Sequence, residues 1–82
     1  MNEIDLINDG FNRDEEGIFH KEVNGRCINC YRHPRGCGYW VCEIDTVGMP
    51  ASNERIVTIE QVKEFIYLTC ESRVISRRVL PR

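Results

Sequence analysis

The sequence has 82 residues, of which 41% are hydrophobic and 29% are charged. This is enough for one small core, and it excludes a fibrous repeat or wholesale disorder. The formal net charge of −2 at pH 7 is far from the basic character that is typical of nucleic-acid-binding domains. We therefore expect one small domain that spans residues 1–82.

Charge is distributed unevenly along this domain. Six acids and one arginine occupy the acidic N-terminal segment 1–16, and four arginines occupy the basic C-terminal tail 73–82. Apolar and acidic residues alternate over residues 1–10, which is typical of neither a signal peptide nor a membrane span. We expect a cytoplasmic protein with no membrane partner.

The pair Asn24-Gly25 predicts a β-hairpin over residues 17–32. This pair readily adopts the positive φ angles of a type I′ turn, and a two-residue loop fixes the register of the two strands. The predicted register runs from Val23 opposite Arg26 to Phe19 opposite Cys30. The face that is predicted to pack on the core carries Phe19, Val23, Ile28 and Cys30.

Two further elements complete the predicted fold. Residues 39–47 alternate apolar and more polar side chains and predict a third strand, which a loop over 48–55 follows. Thr58 and Gln61 form a capping box before an amphipathic helix that is predicted over 59–72.

The predicted fold class is therefore α+β, with a three-stranded antiparallel sheet packed on one helix. An extra strand at each end of the chain is a further expectation, and residues 74–80 are expected to form either such a strand or a docked tail. The predicted core consists of Phe19, Val23, Ile28, Trp40, Ile44, Val62, Phe65 and Ile66.

The cysteines raise the alternative of a structural zinc site, because paired thiolates can bind zinc tetrahedrally. The hairpin register, however, directs Cys27 and Cys30 to opposite faces of the sheet. A cytoplasmic protein keeps its thiols reduced, so the cysteines are core residues or metal ligands and not a disulfide framework. Because of the register, we favour neither a metal nor another cofactor. The alternative zinc ligands are Cys27, Cys30, Cys37 and Cys42, with His33 in place of one of them.

The sequence contains none of the motifs that typically identify an enzyme. It has no Ser/His/Asp set, no phosphate-cradling loop and no convincing pair of carboxylates. Neither Cys27 nor Cys30 begins a helix after a strand, which is where a redox CxxC motif lies. We expect a protein that is not an enzyme.

Three short pieces of the sequence carry a resemblance to a known family. They are Asn24-Gly25, Cys30-Tyr31-Arg32-His33-Pro34-Arg35 and Ile56-Val57-Thr58-Ile59-Glu60. Through them, the stretch 24–68 resembles the arm-site DNA-binding domain of phage lambda-type integrases, in which a helix follows a three-stranded sheet. The resemblance implies that Arg26 and Arg32 approach a DNA groove and that Arg35 contacts phosphate. That domain is basic whereas this chain is acidic overall, so we do not assign the chain to the family.

These observations favour a non-catalytic regulatory or inhibitory protein that binds a larger protein, of the stand-alone kind that phages and mobile elements encode. The alternative is a nucleic-acid-binding module that reads its target through the sheet and is supported by zinc. A homodimer is a further expectation. The candidate partner-binding residues are Lys21, Arg26, Arg32, His33, Arg35, Asp14, Glu15, Glu16, Tyr67 and Leu68.

Overall fold

The computed structural model describes residues 1–44 and 51–71. Within these ranges, two helices and five strands occur in the order α1 (Glu3–Asn8), β1 (Asn12–Arg13), β2 (Phe19–Val23), β3 (Arg26–Arg32), β4 (Trp40–Ile44), β5 (Ala51–Ile56) and α2 (Ile59–Ile66). A π-helical turn (Tyr67–Glu71) continues α2. The strands form one antiparallel sheet in the order β1-β2-β3-β4-β5. The fold is α+β as predicted, but this sheet has five strands instead of three.

The β2–β3 hairpin has the predicted register. Asn24 has a φ of 54° and Gly25 a φ of 79°, and most other side chains would strain this left-handed backbone. The turn sets Val23 opposite Arg26 and Phe19 opposite Cys30. As a result, the inner face of the hairpin buries Phe19, Ile28 and Cys30.

β4 extends the sheet on the far side of β3. Cys42 lies opposite Cys30, and Trp40 lies opposite Arg32. The predicted strand 39–47 is therefore present over Trp40–Ile44, and residues 45–47 lie outside the described ranges. The face that was predicted to be buried is buried, since it carries Trp40, Cys42 and Ile44. The alternation holds only in part, because Val41 on the other face is also buried.

The prediction of a loop over 48–55 is wrong for residues 51–55, which belong to β5. This strand pairs with β4 from Ala51 opposite Ile44 to Ile56 opposite Trp40, with a bulge between these ends. A bulge interrupts the two-residue period, and polar side chains on an outer strand give no apolar pattern. The sequence therefore carries no strand signal here. Residues 48–50 lie outside the described ranges.

The N-terminal segment forms a short helix that the sequence pattern did not predict. Asn2 Oδ1 accepts the N–H of Asp5 at 3.1 Å, and the Asp5 carboxylate accepts the N–H of Asn2 at 3.0 Å, which together cap α1. Leu6 is the one buried residue among its six, so α1 has no apolar stripe to detect. β1 is the extra N-terminal strand that was expected, and its expected C-terminal counterpart at 74–80 lies outside the described ranges.

α2 begins where the capping box predicted. Thr58 Oγ1 accepts the N–H of Gln61 at 3.3 Å, and Gln61 Oε1 accepts the N–H of Thr58 at 3.0 Å. The apolar stripe of α2 buries Val62, Phe65 and Ile66. The helix changes to the π-helical turn at residue 67, and residue 72, the predicted end, lies outside the described ranges together with the tail 73–82. No helix in the described part of the chain is long and apolar enough to cross a membrane.

The core joins the inner face of the sheet to both helices. Phe19 and Trp40 meet edge to face, with ring centroids 6.0 Å apart and an interplanar angle of 64°. Seven of the eight predicted core residues are buried, whereas Val23 is half-buried against the cluster. The core also contains Cys30, from the hairpin face that was predicted to pack on it, together with Cys42 and Cys70 on the apolar sides of β4 and of the helical segment. Leu6, Phe11 and Ile56 were not predicted to lie in the core.

Replacing Trp40 by alanine is expected to lower the free energy of unfolding by roughly 3 to 5 kcal/mol, because it leaves a cavity beside Phe19. Trp40 is 2% exposed, whereas its neighbour Tyr39 is 38% exposed. Tyr39→Ala is therefore the control, and it should cost less than about 1 kcal/mol. Urea denaturation followed by circular dichroism measures both values. Equal losses in the two variants would remove Trp40 from the core.

Candidate functional site

A groove of about 480 Å³ opens at one end of the sheet, where β1 and β3 end and where β2 and β4 begin. Aromatic and apolar side chains line it together with a few charged groups, a composition that is typical of ligand-binding clefts. The residues that line this groove are Glu3, Arg13, Glu16, Gly17, Ile18, Phe19, Tyr31, Arg32, Pro34 and Trp40.

Arg32 is the predicted binding residue that the structure sets in the groove next to an aromatic ring. Its guanidinium carbon lies 4.6 Å from the centroid of the Trp40 ring. This cation–π contact holds the guanidinium next to the ring, and the N–H groups of the guanidinium stay available to an anion. The ring is buried while Arg32 itself is exposed.

A turn over residues 14–17 directs the chain from β1 into β2. Asp14 Oδ1 accepts the N–H groups of Glu16 and Ile18 at 2.8 and 2.9 Å. Gly17 has a φ of 88°, a conformation that glycine adopts without strain. The turn therefore depends on one carboxylate and one glycine.

This turn brings Arg13 to the groove, opposite Phe19 in the β1–β2 pair. Arg13 Nε lies 3.9 Å from Glu3 Oε1, and the two side chains are 51% and 45% exposed. An ion pair this exposed contributes little to stability. A carboxylate from another molecule can therefore replace Glu3 at small cost.

Tyr31 contributes its ring to the groove while its hydroxyl is engaged elsewhere. The hydroxyl donates a hydrogen bond to the Glu43 carboxylate, which raises the pKa of Tyr31 to about 12. Tyr31 therefore stays protonated at neutral pH, and Glu43 fixes the position of its ring beside the groove.

His20 ties the turn over 14–17 to β3 on the outer face of the sheet. Its Nε2 lies 2.7 Å from Asp14 Oδ2, and its Nδ1 lies 2.6 Å from Asn29 Oδ1. Both oxygens can accept, so the imidazolium form of the ring, in which both nitrogens donate, satisfies both contacts. The hydrogen bond to Asp14 raises the pKa of His20, and the same bond lowers the pKa of Asp14.

Two predicted binding residues, Lys21 and Arg26, are half-buried and form hydrogen bonds within the protein. Lys21 Nζ donates to the carbonyl of Asp9 at 2.6 Å and lies 3.2 Å from its carboxylate, just after α1. Arg26 Nη1 donates to the carbonyl of Thr69 at 2.7 Å, after α2. Both cations therefore lie at the carbonyl end of a helical segment, where the helix dipole favours positive charge. We leave both residues out of the candidate site.

The other predicted binding residues divide between several places. Glu16 lines the groove with Arg32, whereas Asp14 is engaged by the turn and by His20. A smaller pocket is lined by His33 and Arg35. Three predicted residues are exposed and lie outside both depressions: Glu15, Tyr67 and Leu68.

Arg13 was not among the predicted binding residues, because six acids surround this single arginine in segment 1–16. The available signal was the spacing of Asp14 and Gly17, since an Asx turn that ends in glycine commonly joins two strands. It also assigned Trp40 to the core alone, although an aromatic ring can pack on the core and still form the wall of a groove.

The structure does not bring the four cysteines of the alternative zinc site together. Cys30 and Cys42 are cross-strand partners in the core, whereas Cys27 and Cys37 are exposed. The contact with Cys42 and burial raise the pKa of the Cys30 thiol, which stays protonated. The predicted separation of Cys27 from Cys30 is confirmed. Across the described residues, no group of three or more His, Cys, Asp or Glu side chains is arranged to hold a metal ion.

Replacing Arg26 by methionine is expected to lower the free energy of unfolding by roughly 1.5 to 3 kcal/mol, because the part-buried Thr69 carbonyl loses a charged donor. Arg35→Met on the exposed turn is the control, and it should change stability by less than about 0.5 kcal/mol. Urea denaturation compares the two variants with the parent protein. A fully stable Arg26 variant would show that the contact contributes nothing.

The His20–Asp14 bond is expected to stabilise the fold most between about pH 3.8 and pH 6.5, which are the ordinary pKa values of the two groups. The pKa of His20 is raised, so its contribution is complete below 6.5 and is lost as the pH rises through the folded value. The pKa of Asp14 is lowered, so its contribution is complete above 3.8 and is lost as the pH falls through the folded value.

Urea denaturation of the parent protein and of His20→Gln between pH 3 and pH 9 tests this expectation. The stability difference between the two proteins should be largest inside the window and should shrink on the alkaline side. A difference that stays constant from pH 5 to pH 9 contradicts the assignment of His20 as imidazolium. Direct titration of the His20 ring by NMR provides an independent check.

Comparison with known proteins adds no relative to this account. No family model matches the sequence, no curated protein matches it, and no solved structure matches it. The functional argument therefore depends on the geometry of the groove and of the residues around it.

Proposed function

We propose that this chain is a non-catalytic binding protein of a regulatory or inhibitory kind, which docks onto a larger protein. The groove takes an acidic segment of that protein, with an apolar or aromatic side chain between its carboxylates. The observation that carries this proposal is the pair of arginines, Arg13 and Arg32, on a groove with aromatic walls. Guanidinium groups bind carboxylates bidentately, and the aromatic walls favour an apolar side chain.

The states of two reactive side chains support a binding role over catalysis. Each ring nitrogen of His20 has a partner within the protein, Asp14 or Asn29, so neither nitrogen is open to a substrate. The raised pKa of Cys30 keeps its buried thiol from becoming the thiolate that a nucleophile requires. Both side chains make structural contacts instead: His20 with Asp14 and Asn29, and Cys30 with Cys42 in the core.

The arrangement of charge favours a protein partner over a nucleic acid. The groove contains Glu3 and Glu16 beside its two arginines, whereas a phosphate backbone requires an uninterrupted basic surface. The carboxylates of a peptide segment are spaced apart, so one of them can displace Glu3 from Arg13 while the others stay away from Glu16. The closely spaced phosphates of a nucleic acid would be repelled by both acids. We place this binding in the cytoplasm, where the free thiols stay reduced.

Fluorescence anisotropy with defined probes tests the proposal. The probes are labelled peptides of sequence Gly-Glu-Glu-Trp-Glu-Glu-Gly, the same peptide with Gln for every Glu, the same peptide with Lys for every Glu, and a 20-nucleotide oligo(dT). We expect saturable binding of the acidic peptide that is at least about tenfold tighter than that of the glutamine peptide, because two charged hydrogen-bonded contacts are lost.

Matched variants connect this binding to the groove. Arg13→Gln and Arg32→Gln should each weaken the acidic peptide, whereas Lys63→Gln on the exposed side of α2 should leave its affinity unchanged. Arg13 has little structural role, so its variant stays informative if Arg32→Gln unfolds the protein. Tighter binding of oligo(dT) with a steep salt dependence would favour the nucleic-acid alternative, and self-association through the groove in sedimentation would favour a homodimer. Either result overturns the proposal.

A further inference from the structure

A second depression, of about 320 Å³, lies between β5 and the turn over residues 33–39. We call it the turn pocket. It shares no residue with the groove, although the two meet at one segment: Arg32 and Pro34 line the groove, whereas His33 and Arg35 line the turn pocket. The remaining residues that line the turn pocket are Cys37, Tyr39, Glu54 and Arg55.

Backbone hydrogen bonds hold the turn that forms one wall of this pocket. The N–H of His33 donates to the carbonyl of Tyr39 at 2.9 Å, and the N–H of Gly36 donates to the carbonyl of His33 at 3.0 Å. The N–H of Arg35 also donates to His33 Nδ1 at 3.1 Å. The imidazole therefore orders the backbone from which the Arg35 side chain extends.

The opposite wall is the bulged strand β5, which carries Arg55. Asn53 Oδ1 accepts the N–H of Arg55 at 2.9 Å, which fixes the backbone at the bulge. Both arginines of the turn pocket thus extend from backbone that side-chain hydrogen bonds hold in place. The backbone of this site therefore needs little further ordering on binding, and the entropic cost falls mainly on the two arginine side chains.

The charges that line the turn pocket leave an excess of positive charge. Among the described residues, neither Arg35 nor Arg55 forms an ion pair with a carboxylate. Glu54 is the one acid that lines the pocket, and its Oε1 faces His33 Nε2 at 3.6 Å. Because His33 Nδ1 accepts the Arg35 N–H, the Nε2 nitrogen holds the ring proton and directs it toward Glu54.

We propose that the turn pocket binds a phosphoryl group through Arg35 and Arg55. A phosphoryl group carries a charge of about −1.5 to −2 and three acceptor oxygens, which match two guanidinium groups in charge and in number of donors. A single carboxylate has two oxygens and one charge, and it would leave one arginine without a partner. Tyr39 adds an aromatic side to the pocket, suited to the ring that carries the phosphate of a phosphotyrosine.

This inference goes beyond the proposed function, because the turn pocket and the groove have separate residues and can be tested separately. A phosphorylated side chain and free phosphate present the same chemistry to Arg35 and Arg55. The two sources are distinguished by probe: inorganic phosphate, the peptide Gly-Gly-phosphotyrosine-Gly-Gly, its tyrosine counterpart and its glutamate counterpart.

Titration of the ¹⁵N-labelled full chain, followed by backbone and arginine side-chain NMR signals at constant ionic strength, measures binding of each probe. We expect saturable shifts at Arg35, Arg55 and Tyr39 with a phosphorylated probe. Arg35→Gln and Arg55→Gln should each weaken that binding by about tenfold, since each removes a charged pair of hydrogen bonds. Arg13→Gln, in the groove, is the matched control and should bind the phosphorylated probe as the parent does.

The outcomes separate the sources and decide the proposal. Tighter binding of the phosphopeptide than of inorganic phosphate supports a phosphoprotein as the source, whereas comparable binding supports the free anion. The proposal is overturned if the glutamate peptide shifts the same signals with equal affinity, if no probe gives saturable shifts, or if the Arg35 and Arg55 variants bind as tightly as the parent. Loss of peptide binding at the groove leaves each of these results unaffected.

Discussion

The left-handed backbone at Asn24-Gly25 is the constraint on which the rest of the sheet depends. A two-residue turn permits one register between β2 and β3, and a shift of one residue would exchange the inner and outer faces of the hairpin. The observed register sets Phe19 opposite Cys30, which allows β4 to place Trp40 beside both Phe19 and Arg32. The groove is therefore a consequence of a turn at the opposite end of the hairpin.

The same turn also holds the end of the helical segment after α2. The Asn24 side chain donates to the carbonyl of Cys70 at 2.9 Å, and Arg26 donates to the carbonyl of Thr69 beside it. Asn24 and Arg26, at the turn that sets the strand register, thus also hold the helical segment at Thr69 and Cys70, more than forty positions later in the chain. This explains why Arg26 is half-buried in a contact within the protein, while the arginines at the other end of the sheet remain exposed.

Local signals in the sequence predicted those parts of the fold whose causes are local. The turn at Asn24-Gly25 and the capping box of Thr58 and Gln61 each depend on two to four neighbouring residues, and both are observed. β5 could not be predicted, because its side chains are mostly polar and its bulge breaks the two-residue period. It is a strand because it pairs with β4, which lies outside its local sequence. α1 has a capping box as well, but one buried leucine in six residues gives no helical period.

The candidate site was predicted only in part, for a related reason. Arg32 could be selected from its charge, but its contact with Trp40 depends on pairing between strands that are separated in sequence. Arg13 lies in the groove because the turn at Asp14 reverses the chain. It could not be selected from the total charge of its segment, because its neighbours in the sequence are acidic. The distribution of charge along the chain is therefore a poor guide to its distribution on the surface.

The five cysteines are either exposed or buried, and this difference allows opening of the structure to be measured through the protein's own thiols. Cys27 and Cys37 are exposed, whereas Cys30, Cys42 and Cys70 are buried. A bulky alkylating reagent reacts with the exposed thiols in the folded protein, but it reaches the buried thiols only when the surrounding structure opens. Cys30 and Cys42 lie opposite each other on β3 and β4, and Cys70 lies after α2. Their separate alkylation rates therefore measure how often the sheet and the helical segment open.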